Sequence, residues 1–486
     1  MCGIVGIVSA EPVNQQIYDS LLLLQHRGQD STGIATADGY QFHMVKARGQ
    51  VREAYRTRDM RSLLGNVGLG HVRYATSGSA ALEEEAQPFY VNAPYGIILV
   101  HNGNLTNTRE LVSELSNVER RHLNTHSDTE LLLNVLAGEL QHSAADGSLS
   151  PDQVFDAVSR VHERADGSYA AIALIAGHGL LAFRDPFGIR PLVLGRRETD
   201  SGRAEWVVAS ESLVLESGGY EIVRDVRPGE AVFITPDGEL HSRQCAQHTR
   251  LLPCSFEYIY LARPDSVLSG ISVYDARLRL GDVLAEQVAR EVTAGDIDVV
   301  MPIPDSARPS AMQVAQKLGI EYREGFFKNR YVGRTFIMPG QSVRKRSVRQ
   351  KLNAMSTEFQ GKNVLIVDDS IVRGTTSREI VEMARSAGAA SVTFASAAPP
   401  VLYPHVYGIN MPTRGELIAH DRTNDEIAAL MGADHLVYQT VEGMKRAILS
   451  GQSKVTELEQ ACFTGEYLAG NVTEEYLGWL EATQVS

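Results

Sequence analysis

Residues 364–377 read VLIVDDSIVRGTTS, and this stretch decides the fold expected for the second half of the chain. An apolar run typical of a buried strand ends in two adjacent aspartates, and a loop rich in glycine and hydroxyl groups follows. Thr376 and Glu379 have the spacing of a capping box, which predicts that a helix begins there. A second apolar run follows at 392–395, so the order strand, loop, helix, strand predicts a βαβ unit in a mostly parallel sheet.

The loop after the first of these strands has the composition of a phosphate-binding site. Backbone N–H groups at a helix N-terminus lack partners and the helix dipole favours negative charge, so the loop can wrap a phosphate. Asp368 and Asp369 stand at the carboxyl end of the strand, where they can bind ribose hydroxyls or Mg²⁺. Together these groups indicate a phosphorylated sugar as ligand. The loop residues are Gly374, Thr375, Thr376 and Ser377.

This stretch resembles the signature of type I phosphoribosyltransferases, which bind 5-phosphoribosyl-1-pyrophosphate (PRPP). The resemblance implies that the loop from Arg373 to Ser377 takes the 5-phosphate, while Asp368 and Asp369 address the ribose and the metal. It also implies that residues 302–307 form the pyrophosphate loop, with Ser306 as a third contributor to the Mg²⁺ site.

A basic segment, residues 328–351, lies between these two loops. Basic side chains inside an acidic protein fit a mobile lid over pyrophosphate, because the departing pyrophosphate needs cations to stabilise it. Lys328 and Arg330 are therefore expected to bind PRPP. For the basic run at 344–351, a solvated helix face is the alternative.

The chain begins Met1-Cys2-Gly3, and a residue as small as cysteine permits removal of the initiator methionine. Cys2 would then carry a thiol and a free α-amine on one residue, with no propeptide ahead of it. A thiolate is a competent nucleophile, and an α-amine with a reference pKa of roughly 7.7 to 8.0 can act as its general base. The alternative interpretation is that these residues merely begin a buried strand.

Other polar residues of the first half stand at the ends of apolar runs. A thiol that hydrolyses an amide needs donors for the oxyanion, and the Asn102 side chain and the Gly103 N–H can supply them. It also needs a cation for the substrate carboxylate and an anion for its ammonium group, which Arg73 and Asp128 can provide.

These residues resemble the motifs of class II glutamine amidotransferases, which have an N-terminal nucleophile (Ntn). The resemblance implies an αββα Ntn-hydrolase sandwich, Cys2 as nucleophile with its α-amine as base, Asn102 and Gly103 as the oxyanion hole, and Arg73 and Asp128 as glutamine binders. The motifs are Cys2-Gly3-Ile4-Val5-Gly6, His26-Arg27-Gly28-Gln29-Asp30, Gly70-His71-Val72-Arg73-Tyr74, His101-Asn102-Gly103 and Ser127-Asp128.

A glutaminase half followed by a PRPP-binding half resembles the amidophosphoribosyltransferase family over essentially residues 1–465. The resemblance implies that ammonia from glutamine displaces pyrophosphate from PRPP, which gives 5-phosphoribosylamine and glutamate in the first step of de novo purine biosynthesis. It also implies feedback inhibition by purine nucleotides and a homotetramer. A dry passage between the two sites is expected, because ammonium has no lone pair with which to attack.

The length of 486 residues exceeds what one hydrophobic core supports and predicts two domains. Short apolar runs separated by Gly, Asn, Asp and Pro predict an α+β first domain, and the βαβ pattern predicts an α/β second domain. The predicted divisions are a first domain at 1–235, a linker at 236–256, a second domain at 257–470 and a peripheral tail at 471–486.

The composition limits which partners the protein is expected to bind and in which cellular compartment it is expected. The 46 basic and 59 acidic residues give a net charge of −13, which argues against a nucleic-acid-binding surface. The most apolar segment, 169–183, is interrupted and too short to span a bilayer, and no signal peptide is evident. Four cysteines are too few for a disulfide framework, so a cytoplasmic protein is expected.

The cysteines also bear on metal sites. Iron–sulfur members of the family hold a cluster with four cysteines, but here His405 and Glu459 stand at two of the corresponding positions, beside Cys254 and Cys462. Because such clusters normally need four thiolates, no iron–sulfur cluster is expected. An alternative zinc site, which lacks a defined fourth ligand, would use Cys245, His248 and Cys254.

Two other functions fit parts of the sequence. A PRPP-sensing regulator with a vestigial glutaminase half would bind the ligand without turnover, although such a protein has no reason to keep Cys2 and its partners. A different class II amidotransferase would share only the first half, and the loop that ends at Ser377 argues against it.

Overall fold

The computed structural model describes residues 2–74, 83–143, 149–200, 202–328, 352–411, 413–450 and 454–484. Its strands are β1 (Gly3–Val8), β2 (Ser31–Asp38), β3 (Gln41–Arg48), β4 (Val67–Arg73), β5 (Phe89–Val91), β6 (Ile97–Leu105), β7 (Gly167–Ile175), β8 (Gly179–Arg184), β9 (Val193–Glu198), β10 (Ala204–Ala209), β11 (Glu221–Asp225), β12 (Glu230–Ile234), β13 (Leu240–Gln244), β14 (Val267–Leu268), β15 (Ile271–Ser272), β16 (Val299–Pro302), β17 (Glu321–Tyr322), β18 (Phe326–Lys328), β19 (Leu352–Ala354), β20 (Asn363–Asp368), β21 (Ser391–Ser396) and β22 (His435–Tyr438). The α-helices are Asn14–Leu23, Val51–Ala54, Thr57–Ser62, Thr108–Ser113, Asp128–Ser143, Pro151–Arg164, Ser212–Ser217, Val273–Glu291, Arg308–Leu318, Ser356–Phe359, Thr375–Ser386, Asn424–Met431, Val441–Leu449, Ala461–Thr464 and Glu474–Gln484.

The first half is a four-layered sandwich. Its strands form two antiparallel sheets, in the orders β11-β9-β10-β1-β4-β2-β3 and β13-β12-β8-β7-β6-β5. Apolar side chains of both sheets interdigitate in one buried cluster, and a Cβ at Gly6 of the first sheet would meet Ile172 of the second at 2.8 Å. Helix Asn14–Leu23 covers the outer face of the first sheet, and helices Asp128–Ser143 and Pro151–Arg164 cover the second. The predicted αββα sandwich is confirmed.

The second half contains a parallel sheet with the order β17-β16-β20-β21-β22. Helices Val273–Glu291 and Arg308–Leu318 pack on one face, and helices Thr375–Ser386 and Asn424–Met431 pack on the other. From β16 the chain continues to one side of the sheet and from β20 to the other, so these adjacent strands form the topological switch point where open α/β sheets bind ligands. The predicted α/β class of this half is confirmed.

Two segments differ from the sequence-based divisions. The stretch predicted as a linker contains β13, which pairs with β12 and extends the second sheet to Gln244. The tail predicted to be peripheral forms helix Glu474–Gln484, whose Leu477 is buried in a core cluster shared by both halves. Tertiary packing explains both differences, because neither segment has a strong periodic pattern of its own. In the described part of the chain, no helix combines the length and apolar character needed to cross a membrane.

Candidate functional site

The N-terminal strand delivers Cys2 to a small cleft in the first half. The cleft is lined by Cys2, Arg73, Tyr74, Gln87, His101, Gly103, Ser127 and Asp128. The structure therefore brings the sequence-predicted nucleophile together with both predicted glutamine-binding residues. Cys2 directly precedes β1, Arg73 ends β4, Gly103 lies on β6 and Asp128 begins a helix, and the sandwich makes them neighbours.

Asn102 is oriented by the nucleophilic residue itself. The Cys2 backbone N donates to Asn102 Oδ1 at 3.1 Å, which fixes the orientation of the amide. Asn102 Nδ2 is buried and has no hydrogen-bond acceptor among the described residues. A buried, pre-oriented donor without an acceptor is suited to a negative charge that develops during a reaction. The neighbouring Gly103 has φ +152°, and a Cβ there would lie 2.1 Å from the Ser168 carbonyl oxygen, so only glycine fits.

An ion pair holds Arg73 in place, and a hydrogen bond from a backbone N–H holds Asp128. Arg73 Nη2 lies 3.0 Å from Glu85 Oε2, and both side chains are buried. Asp128 Oδ2 accepts the Leu105 N–H at 3.1 Å, and its other oxygen lies 3.9 Å from His101 Nδ1. Burial lowers the pKa of His101, so this ring is neutral near pH 7. The cleft thus presents a cation and an anion beside the residues that could hold an oxyanion.

Arg27, for which no role was predicted, holds the backbone of the predicted nucleophile Cys2. Its Nε donates to the Cys2 carbonyl oxygen at 3.0 Å, and its other nitrogens bind Glu211 at 2.5 Å and Glu257 at 2.7 Å. Burial opposes ionisation of Glu211, but Arg27 and His26 outweigh it and hold the pKa of that carboxyl well below its usual range. Arg27 belongs to the sequence motif that begins at His26, which could have indicated a role for it. Its two acidic partners, however, lie 184 and 230 residues away along the chain.

Removing the charge of Arg27 should destabilise the protein strongly. We expect Arg27→Ala to lower the free energy of unfolding by about 3 to 5 kcal/mol, because it removes the cation that two buried carboxylates share. Among the described residues, the close basic partner left to Glu211 is His26, and the one left to Glu257 is Arg190. Since the pKa of Glu211 is lowered by folding, its ionised form stabilises the wild type above pH of about 4, and that contribution is lost as pH falls further. Denaturant titration at pH 7 measures the first effect, and its comparison with titration at about pH 3 measures the second.

Arg58→Ala is the matched control for this change, because Arg58 is 80% exposed in its pair with Asp59. We expect no measurable change in this control. Equal stability of Arg27→Ala and wild type would contradict the role assigned to the buried network.

The carboxylates of the second half lie at the switch point of the parallel sheet. Asp368 ends β20, and Asp369 Oδ2 accepts a hydrogen bond from Ser306 Oγ at 2.5 Å, in the loop that follows β16. Burial raises the pKa of both carboxyls, and the charge of Asp369 raises that of Asp368 further. Two buried, mutually repelling carboxylates beside a hydroxyl form a donor set that suits Mg²⁺, because a bound cation would offset the repulsion.

The loop after Asp369 presents a helix N-terminus. Gly374 is the N-cap of helix Thr375–Ser386 with φ +73°, and a Cβ there would lie 2.1 Å from Ile418. The predicted capping box between Thr376 and Glu379 is wrong, because the cap position belongs to a glycine without a side chain. The first backbone N–H groups of the helix are therefore available to an anion. Thr375, Thr376 and Arg373 are exposed, and Ser377 is buried.

The structure describes Lys328, one of the two predicted lid residues, but not Arg330. Lys328 ends β18 and its Nζ lies 3.2 Å from Asp305 Oδ2, so it reaches the predicted pyrophosphate loop. Arg330 and the rest of the predicted lid at 329–351 lie outside the described residues.

A third polar cluster is buried where the two halves meet. Ligand-type atoms of Cys254, His405 and Glu459 lie within 4.8 Å of one another. His405 Nδ1 accepts the Tyr407 N–H at 3.2 Å, so Nε2 carries the proton and donates to Glu459 at 3.0 Å. Nε2 then has no lone pair for a metal, and burial raises the pKa of the Cys254 thiol to about 12.

The donor set therefore lacks the four thiolates of an iron–sulfur cluster. The alternative zinc site is not formed either, because Cys245 packs in the core of the second sheet and Cys254 packs in the core shared by both halves.

The sequence matches two family models, one for each half. Residues 71–217 match the glutamine amidotransferase domain, and residues 271–400 match the phosphoribosyl transferase domain. The first match contains Arg73, Gly103 and Asp128, and the second contains Ser306 and both switch-point aspartates.

Curated relatives and solved structures resemble the whole chain. The amidophosphoribosyltransferase of Pseudomonas aeruginosa is 54% identical over 483 residues, covering 99% of this chain and 95% of that protein. The Escherichia coli (strain K12) amidophosphoribosyltransferase is 53% identical over 482 residues, with 99% and 95% coverage. The structure of glutamine PRPP amidotransferase from B. subtilis, complexed with ADP and GMP, has a TM-score of 0.84 at 37% identity, covering 97% of this chain and 98% of that chain. With both domains matched in order and relatives similar over nearly their whole length, the chain belongs to the amidophosphoribosyltransferase family.

Proposed function

We infer that this chain carries out the reaction of its family, the transfer of ammonia from glutamine to PRPP that opens de novo purine biosynthesis. The observation that carries this inference is the placement of Cys2 against Asn102, in a cleft that also presents Arg73 and Asp128. The same chain holds a phosphate-type loop and paired carboxylates at the switch point of its second sheet. One polypeptide thus contains both the site that releases ammonia from glutamine and the site that transfers it to PRPP.

In the first half-reaction, the Cys2 thiolate attacks the side-chain amide carbon of glutamine. The α-amine of Cys2 takes the thiol proton and returns it to the leaving nitrogen, so that ammonia departs and a thioester remains. Asn102 Nδ2 and the Gly103 N–H hold the oxyanion, while Arg73 binds the α-carboxylate and Asp128 the α-ammonium group of the substrate. Water then hydrolyses the thioester and releases glutamate.

In the second half-reaction, ammonia attacks C1 of PRPP and pyrophosphate leaves. The 5-phosphate binds at the helix N-terminus formed by Arg373 to Ser377, and Lys328 and Arg330 offset the charge of the departing pyrophosphate. Mg²⁺ held by Ser306, Asp368 and Asp369 would neutralise part of that charge when bound. A passage that excludes water between the two sites keeps ammonia unprotonated.

Purine nucleotides are the proposed feedback inhibitors, since the B. subtilis structure holds ADP and GMP. A homo-oligomer, with a tetramer as the specific form, and a cytoplasmic location remain predictions from the sequence.

The test is an assay of pyrophosphate release from PRPP with glutamine or ammonia as nitrogen donor. The protein should first be shown by mass to lack Met1. We expect both donors to support release, and glutamate to form in step with pyrophosphate. A PRPP-sensing regulator would instead bind PRPP and release no pyrophosphate with either donor, which would refute the proposal.

A further inference from the structure

A segment of the second half lies directly against the strand that carries the oxyanion residues. Asn104 Nδ2, on β6, donates to the carbonyl oxygen of Val406 at 3.2 Å. Ser168 Oγ, on the neighbouring β7, donates to the carbonyl oxygen of Tyr407 at 2.9 Å. Asn104 and Ser168 form the register pair next to Gly103–Tyr169, so two successive carbonyl groups of the second half are held beside Gly103.

The next residue of this segment, Gly408, touches the backbone of Gly103. A Cβ built on Gly408 would lie 2.8 Å from Gly103 Cα and 2.9 Å from its carbonyl carbon, closer than Cβ atoms are found in proteins. Gly103 itself has no room for a Cβ, which would lie 2.1 Å from the Ser168 carbonyl oxygen. The Gly103 peptide is thus enclosed between Ser168 of its own half and Gly408 of the other.

The segment is itself fixed to the second half by buried polar groups. The Tyr407 N–H donates to His405, and His405 donates to Glu459 at 3.0 Å. The Tyr407 hydroxyl donates to the Ala469 carbonyl oxygen at 2.7 Å, and the Tyr407 side chain is fully buried. Segment 405–408 is therefore a rigid support whose position is set by the second half.

We propose that segment 405–408 is a positioning element for glutamine hydrolysis, which aims the Gly103 N–H at the oxyanion. The proposal rests on the proposed function, because it requires Gly103 to stabilise an oxyanion. Arg73 lies on β4 and Asp128 begins a helix, so the charges that bind glutamine come from other elements. A displaced segment 405–408 should consequently lower kcat for glutamine hydrolysis and leave KM for glutamine nearly unchanged.

Gly408→Ala tests this directly. We expect kcat for glutamine hydrolysis to fall about 10- to 100-fold, because the new Cβ must push the Gly103 peptide aside by several tenths of an ångström. The KM for glutamine should change less than about threefold, and ammonia-dependent pyrophosphate release should stay within about twofold of wild type.

Gly361→Ala is the matched control, because Gly361 also has positive φ, +71°, but a Cβ there meets no atom within 4 Å. It places a Cβ at positive φ without the clash, and its glutaminase kcat should equal that of wild type. Thermal unfolding of both variants verifies that each is folded.

Ser168→Ala keeps the proposal testable if Gly408→Ala fails to fold, since it removes only the hydroxyl that holds Tyr407. We expect a smaller, about tenfold loss in the same kcat. Wild-type kcat in a folded Gly408→Ala protein, or in Ser168→Ala, would overturn the proposal. Wild-type protein that hydrolyses no glutamine at all would instead overturn the proposed function.

Discussion

Replacing Cys2 by alanine should abolish the use of glutamine while ammonia still supports synthesis of 5-phosphoribosylamine. We expect glutamine hydrolysis to fall by about 10⁴-fold or more, because the variant cannot form a thioester and keeps only the binding groups and the oxyanion donors. The proposed PRPP site is at the parallel sheet of the second half and uses none of the atoms that are removed. Ammonia-dependent release of pyrophosphate should therefore stay within about twofold of wild type.

Cys245→Ala is the control for removal of a buried thiol, because Cys245 is also buried in the first half and its Sγ contacts the Arg243 carbonyl oxygen. This variant should use both nitrogen donors. Loss of both activities in Cys2→Ala would contradict the division of labour between the halves. Full glutamine hydrolysis by protein that mass spectrometry shows to retain Met1 would contradict the role of the α-amine.

Changing Asp368 and Asp369 together to asparagine should abolish synthesis from either nitrogen donor. We expect a loss of about 10³-fold or more, since the variant loses both charges that are proposed to bind the ribose and the metal. The variant should nevertheless fold well. Without divalent cation its unfolding temperature should equal or exceed that of wild type, because two buried and mutually repelling carboxylates have been removed.

Two measurements separate this role from a structural one. Mg²⁺ added with PRPP should raise the unfolding temperature of wild type and leave that of the double variant unchanged. Asp425→Asn, an exposed change in the first turn of helix Asn424–Met431, should behave as wild type in both assays. Unimpaired pyrophosphate release by the double variant would remove the assignment of these carboxylates.

Local sequence patterns predicted the elements that carry the second site. The apolar run, the glycine-rich loop and the second apolar run correspond to β20, the loop before helix Thr375–Ser386, and β21, as predicted. The same kind of pattern failed at Thr376 and Glu379, where the spacing of a capping box occurs but Gly374 takes the cap position. A capping box is favourable only when its first residue is the cap, and the close approach of Ile418 to Gly374 decides otherwise.

The sequence by itself determined the reactive groups of this protein and the two folds that hold them. A thiol at residue 2, an Asn-Gly pair after an apolar run and two aspartates at a strand end are local features, and short-range patterns encode them. Only the tertiary structure decided that Arg27 is buried between Glu211 and Glu257, and that Gly408 closes over Gly103. Such contacts join residues hundreds of positions apart, and they depend on how whole sheets and segments pack rather than on any pattern near either residue.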